Sequence, residues 1–309
     1  MKIIIPVVLL VIVVALLWPQ RRYLLVRVIG IFLPTPTLGE PTVESSSVKW
    51  YDDYFTIEYI DSRTIAIGEP RYHQHNYNYL IIGEKHAILF DTGPGVRDIR
   101  PVVKSLTTLP VIVSQSHLHF DHIGNHTKFD GAALPDLPHL RRRSHSNMLQ
   151  LFSKEHLGFV EKYKAPNLTV SEWWAPDSSI YLGGRTLTVL HVPGDTPNSI
   201  ALFDRDHAYL FSGDFICPGP NLAALPGSDI NAYLSSTRRL IELVPPETRL
   251  LTAHRDEASE PFGAPMLKYT DLVDLEKGLG KIIDGTLIGK GFYIKSYRIN
   301  ERIGLIVDK

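Results

Sequence analysis

An α/β fold of layered sheets and helices is predicted by three observations. Short apolar runs of strand character recur through most of the 309 residues, two stretches have helical character, and the length suits one large domain. Setting 1–36 apart as an N-terminal segment leaves 37–309, about 270 residues, enough for a single α/β domain with a sizeable core. The strand-like runs are Phe55–Tyr59, Arg63–Gly68, Tyr77–Gly83, His86–Phe90, Val111–Ser114, Thr186–Leu190, Ile200–Phe203 and Ala208–Ser212. The helical candidates are Asp98–Leu106 and Ile230–Leu243. There is no internal repeat.

The run Leu109–Val113 leads directly into Ser116-His117-Leu118-His119-Phe120-Asp121-His122. Thirteen histidines in the whole chain rarely cluster this way by chance, so a polar loop with incidental histidines is the weaker reading. Imidazole nitrogen and carboxylate oxygen are the usual ligands of a catalytic Zn²⁺. Residues two apart in an extended segment point the same way, so His117 and His119 can bite one ion. Asp121 and His122, beyond the turn, then face a second.

The pattern H-x-H-x-D-H resembles the metallo-β-lactamase superfamily, in its glyoxalase II and lactonase-like branch, and further motifs arrive in that family's order. They are Leu89-Phe90-Asp91-Thr92-Gly93, Val192-Pro193-Gly194-Asp195-Thr196, Leu210-Phe211-Ser212-Gly213-Asp214 and Leu250-Leu251-Thr252-Ala253-His254. The resemblance spans about residues 55 to 309 and implies an αββα sandwich of two mixed sheets with metals at one edge. It also implies a site one of His117, His119 and Asp195, a site two of Asp121, His122 and His254, and a bridging Asp214. The expected cofactors are two divalent ions, Zn²⁺ first, with Mn²⁺ or Fe²⁺ as alternatives at site one. Two such ions generate a hydroxide at neutral pH and polarise the scissile bond. Asp121 is the expected catalytic residue, orienting that hydroxide and accepting its proton. Asp91 falls too early in the order to be a ligand and is expected either to orient a histidine or to cap its loop.

Asp195 departs from the family, which usually has histidine after Pro-Gly. His191, four residues earlier, does not replace it. Either the Asp195 carboxylate is itself a ligand, or site one is weakened and the chain is a metal-poor relative acting as a binding module. Retention of every other ligand favours the first reading. A mononuclear iron oxygenase of sulfur compounds is a third alternative on this fold.

The expected activity is hydrolysis of an ester, thioester, lactone or related bond of a small molecule. Aspartate in place of cysteine at 214 argues against penicillin turnover, and Cys217 in place of tyrosine argues against the quorum-sensing lactonases. A net charge of −1 gives no electrostatic case for nucleic acid. Leu149, Phe152, Leu157 and Val160 keep roughly helical spacing and predict either a surface helix or a lid for an apolar tail. Trp173-Trp174, read as a loop pair, adds to the lid reading. The loop 71–77 is expected to border the site, with His73 and His75 belonging to a structural polar loop or to the rim rather than to the ligand set.

Ile3 to Trp18 is apolar without interruption, and Trp18-Pro19-Gln20-Arg21-Arg22 offers no cleavage site. The expectation is an uncleaved single-pass membrane anchor, a membrane partner, and a lipophilic substrate. The second apolar run, Tyr23 to Leu33, is expected to lie along the interface. Charge balance around the segment leans toward a cytoplasmic catalytic domain.

Overall fold

The computed structural model describes residues 18–34, 37–41, 44–256 and 263–308. Two large sheets pack face to face. The first has the strand order Val48–Trp50, Thr56–Asp61, Thr64–Glu69, Asn76–Ile82, Ala87–Phe90, Val111–Ser114, Ala132–Pro135, Asn167–Trp174, Met148–Gln150, Ser144–His145. The second runs Ser179–Tyr181, Thr186–His191, Ile200–Asp204, Tyr209–Gly213, Arg249–Thr252, Met266–Lys268. Both mix parallel and antiparallel pairs.

Alternation along the strands builds three layers of core. Tyr77, Tyr79 and Ile81 face Leu187, Val189, Leu202 and Phe211 of the other sheet. Leu80, one residue out of phase, joins Ile65, Ile67 and Val102 on the outer face, under the helix Arg100–Leu106. On the far side, Leu240, Leu272 and Leu279 of the helices Ile230–Leu243 and Tyr269–Ile283 cover the second sheet. The expected αββα sandwich is therefore the architecture observed. The sequence reading did not foresee a third sheet, Gly219–Ala223, Ile303–Asp308 and Ile294–Arg298, packed into the same outer layer.

Strand starts fell within a residue or so of those read from the sequence. The stretch around Leu149 differs more. It is no helix: Met148–Gln150 is a strand, Ser153–His156 a single turn, and Leu157 sits at φ 56°, which ends that turn. Trp173 and Trp174 lie in a strand rather than a loop. Trp174 is buried, and Trp173 lies under the Arg141 guanidinium at 4.4 Å. Neither is a free aromatic surface.

The N-terminal expectation also changes. Ile3 to Leu17 lie outside the described residues. Among those described, no helix is long and apolar enough to cross a membrane, and the expected single-pass membrane localisation is corrected on that ground. The run from Tyr23 belongs to helix α1, Arg21–Phe32, whose 12 residues carry three arginines. At about 1.5 Å per residue it falls well short of a hydrocarbon core about 30 Å thick. It docks on the protein instead. Arg21 and Arg22 both pair with the buried Asp308 carboxylate, and the Tyr23 ring meets Phe159 edge-on at 5.6 Å.

Candidate metal centre

The site collects at one end of the sandwich, where strands of both sheets finish. The parallel neighbours Ala87–Phe90 and Val111–Ser114 deliver Asp91 and the His117–His122 turn. In the second sheet Tyr209–Gly213 and Arg249–Thr252, also parallel, deliver Asp214 and His254. Asp195 comes from the turn joining Thr186–His191 to Ile200–Asp204. The Ile200 amide donates to Ser116 O at 2.7 Å and locks the sheets together beside the site. Gly213 makes the close approach possible: its φ is 53°, and a Cβ there would stand 2.2 Å from that of Ser116.

All seven residues singled out in the sequence converge, in two groups. His117, His119, Asp195 and Asp214 form one; Asp121, His122 and His254 form the other. In the second, His122 Nε2 lies 3.3 Å from Asp121 Oδ2, from His254 Nε2 and from Asp214 Oδ1, and His254 Nε2 lies 3.1 Å from Asp214 Oδ1. Ligands about 2.0–2.1 Å from a tetrahedral ion are separated by about 3.4 Å, so these edges fit one cation. In the first group His117 Nε2 is 2.7 Å from His119 Nδ1, 3.7 Å from Asp195 Oδ2 and 3.8 Å from Asp214 Oδ2. The two oxygens of Asp214 thus face different groups.

The outer contacts orient the imidazoles. Asp91 Oδ2 accepts from His122 Nδ1 at 3.0 Å and from the Ser116 hydroxyl at 2.9 Å, and Oδ1 accepts from the Ser116 amide at 2.7 Å. His117 Nδ1 sits 3.1 Å from the Ser116 hydroxyl, and His254 Nδ1 donates to Gln74 O at 2.9 Å. Each leaves Nε2 toward the cluster. Of the two roles expected for Asp91, the contact to His122 matches the orienting one; its φ of 67° is unusual for aspartate and aims it there. Asn76, which the sequence reading missed, donates from Nδ2 to Asp121 O at 3.0 Å and Oδ2 at 3.2 Å. Its signal was its place in the His-rich loop 71–77.

Electrostatics show what the donor set wants. Burial, and then the neighbouring imidazoles, push His117 well below its ordinary range, and burial takes His119 down to about 4. Both are neutral at neutral pH and available as metal donors. Burial, and then the Asp214 carboxylate, push Asp195 well above the carboxylate range. Burial also raises Asp121 and Asp214, but the His122 and His254 charges outweigh it and hold both well below. Asp195 Oδ2 and His119 Nε2 are buried without a hydrogen-bond partner. Three carboxylates sharing one cluster with buried histidines, and an unsatisfied oxygen on Asp195, fit divalent cations.

The model of the metallo-beta-lactamase superfamily matches residues 73–254, more than half of the chain. The chain belongs to the metallo-beta-lactamase superfamily. It is 30% identical over 184 residues to the acyl-coenzyme A thioesterase MBLAC2 of Gallus gallus, covering 54% of this chain and 66% of that one. It is 29% identical over 182 residues to the hydroxyacylglutathione hydrolase of Aeromonas salmonicida (strain A449), covering 58% and 61%. The chain thus spans a little under two thirds of the length of these relatives. A metallo-beta-lactamase from Pontibacter korlensis superposes with a TM-score of 0.52 at 16% identity, over 73% of this chain and 99% of that one, a likeness of fold alone. Named hydrolases among the relatives agree with the metal-dependent hydrolase expected from sequence.

The cluster opens into a cavity of about 550 Å³. His119, Asp121, Asp195, Asp214 and His254 line its floor, with Leu157, Val160, Leu222 and Leu225 above. His73 reaches the rim and pairs with the buried Glu161 carboxylate.

Proposed function

We propose that the chain is a dinuclear metal hydrolase of acyl thioesters. The observation that carries this is the division of Asp214 between two groups of donors, the second of which has the spacing of one divalent ion. His117, His119 and Asp195 would hold one ion, Asp121, His122 and His254 the other, with Asp214 between them. When bound, such a pair supplies Lewis acidity and acidifies a water to near neutral pKa. The residues do the rest. Asp121, fixed by Asn76, is an acceptor-only carboxylate positioned to take a proton from a nucleophilic water. Asp91 and Gln74 O occupy Nδ1 of His122 and His254 and so turn each Nε2 toward the place an ion would take.

The thioester reading is supported by the two named relatives, an acyl-coenzyme A thioesterase and a hydroxyacylglutathione hydrolase, which both act on thioesters. The apolar walls of the cavity suit an acyl group, and its size is that of a small-molecule site, about 300–1,000 Å³. The test is elemental analysis of the purified chain together with assays on acyl-CoA, S-lactoylglutathione, lactone and phosphodiester substrates. Close to two metals per chain and thioester turnover abolished by chelation are expected. One metal per chain, or turnover of phosphodiesters in preference to thioesters, would overturn the proposal.

A further inference from the structure

Helix α1 lies outside the span matched by the family model, yet its Val26 lines the same cavity as the metal-facing carboxylates. The helix bridges the two walls of that cavity. On one side Arg22 donates to the carbonyls of Leu225 and Ser228 and pairs with Asp308. On the other, Tyr23 packs edge-on against Phe159 and Arg27 stacks over the same ring at 4.8 Å. Gly30 brings the backbones together: a Cβ there would meet Val160 Cα at 3.3 Å. Val26 therefore sits between Leu157 and Val160 on one wall and Leu222 and Leu225 on the other.

We infer that α1 is the outer wall of an acyl-chain channel and that Val26 sets the length of chain the channel admits. The inference rests on the thioester reading for its substrate and on the geometry for its shape. The metal-facing groups, where a carbonyl would sit, share the cavity with an apolar stretch of Val26, Leu157, Val160, Leu222 and Leu225, while His73, Gln74, Glu161, Asn221, Arg255 and Asp256 complete the lining. The aliphatic stretch gives an ordered water no partner. A hydrocarbon tail running from the metal-facing groups along this aliphatic stretch is the occupant that suits it. Each methylene buried there is worth about fourfold in affinity.

The experiment uses the full, metal-loaded chain with acyl-CoA esters from acetyl to palmitoyl, and separately with 11-(dansylamino)undecanoate as a fluorescent probe. The parent should favour octanoyl over acetyl by at least tenfold in kcat/KM and should bind the probe. Val26→Trp, with its melting temperature and metal content checked, should lower the octanoyl-to-acetyl ratio and the probe affinity at least tenfold each. Val26→Ala should raise the palmitoyl-to-octanoyl ratio at least threefold, and it decides the matter if the tryptophan variant does not fold. If no thioester is turned over, the functional proposal falls while the probe titration still decides the channel. Unchanged ratios and unchanged probe affinity in both variants, or a parent that does not bind the probe, overturn the inference.

Discussion

Asp91 Oδ2 accepts a hydrogen bond from His122 Nδ1 at 3.0 Å, and the same carboxylate holds both the amide and the hydroxyl of Ser116. One side chain thus orients a candidate ligand and fixes the start of the turn that carries three more. Loss of such outer contacts typically costs about 10–100-fold in metal affinity. Asp91→Ala should weaken metal binding by about that factor while the fold persists, and Asp91→Asn should weaken it less, because an amide oxygen still accepts from Nδ1. Competition with a fluorescent chelator measures both. Equal affinity in parent and alanine variant would show that His122 needs no orienting partner.

Asp121→Asn removes a charge while keeping size and the Asn76 contact. If Asp121 accepts the proton of the attacking water, turnover should fall about 10²–10⁴-fold, and loss of a ligand should add to that. Circular dichroism should be unchanged. Activity within a few fold of the parent would place proton transfer on another residue.

Much of the site was legible because ligands follow strands. Val113, Phe211 and Leu251 are core residues whose apolar runs could be read directly, and the polar residues just beyond them are the ones that converge. What was not legible is contact between distant segments. Nothing in the sequence around Tyr23 says that α1 will meet Phe159, 136 positions away, and an apolar run reads equally as membrane or as docking surface. The spacing of Leu149 to Val160 failed for a local reason: a leucine in left-handed conformation followed by Gly158 interrupts any helix there. Asn76 and Gln74 act through short polar contacts, and those carry no periodicity.

Glu69 gives a prediction for stability against pH. It is fully buried beside the Asp91 turn, where it accepts from the Tyr54 hydroxyl at 2.7 Å and from Asn78 Nδ2 at 2.9 Å. Burial lifts its pKa from 4.5 to about 7, and the two hydrogen bonds only partly offset this. A carboxyl with a raised folded pKa contributes stability below pH 4.5, and that contribution is lost as pH rises to about 7, roughly 3 kcal/mol in all. In metal-free protein, Glu69→Gln should remove this part of the slope between pH 4.5 and 7. Asn78 can accommodate the amide by turning its unpartnered Oδ1 toward it. Urea midpoints across that range provide the measurement, and parallel curves for parent and variant would refute the assignment.

Asp195 decides between an intact and a weakened first site. Its Oδ2 is buried without a hydrogen-bond partner, 3.7 Å from His117 Nε2 and 3.9 Å from His119 Nδ1, where burial and Asp214 oppose its charge. A carboxylate placed so poorly for the metal-free chain is placed well for a cation, because a dication offsets both penalties at once. If it is a ligand, Asp195→Ala should leave about one metal per chain and remove most activity. Asp195→His, which restores the residue usual in the superfamily, should keep two. The histidine variant carries one fewer negative charge, so its metal-activated water should be more acidic and the rise of activity with pH should move to lower pH. Metal also stabilises the fold by about 2.7 kcal/mol at a hundredfold excess over Kd, so the melting temperature of the alanine variant should respond less to added Zn²⁺ than that of the parent. Two metals per chain in all three proteins, with superimposable pH profiles, would remove Asp195 from the ligand set.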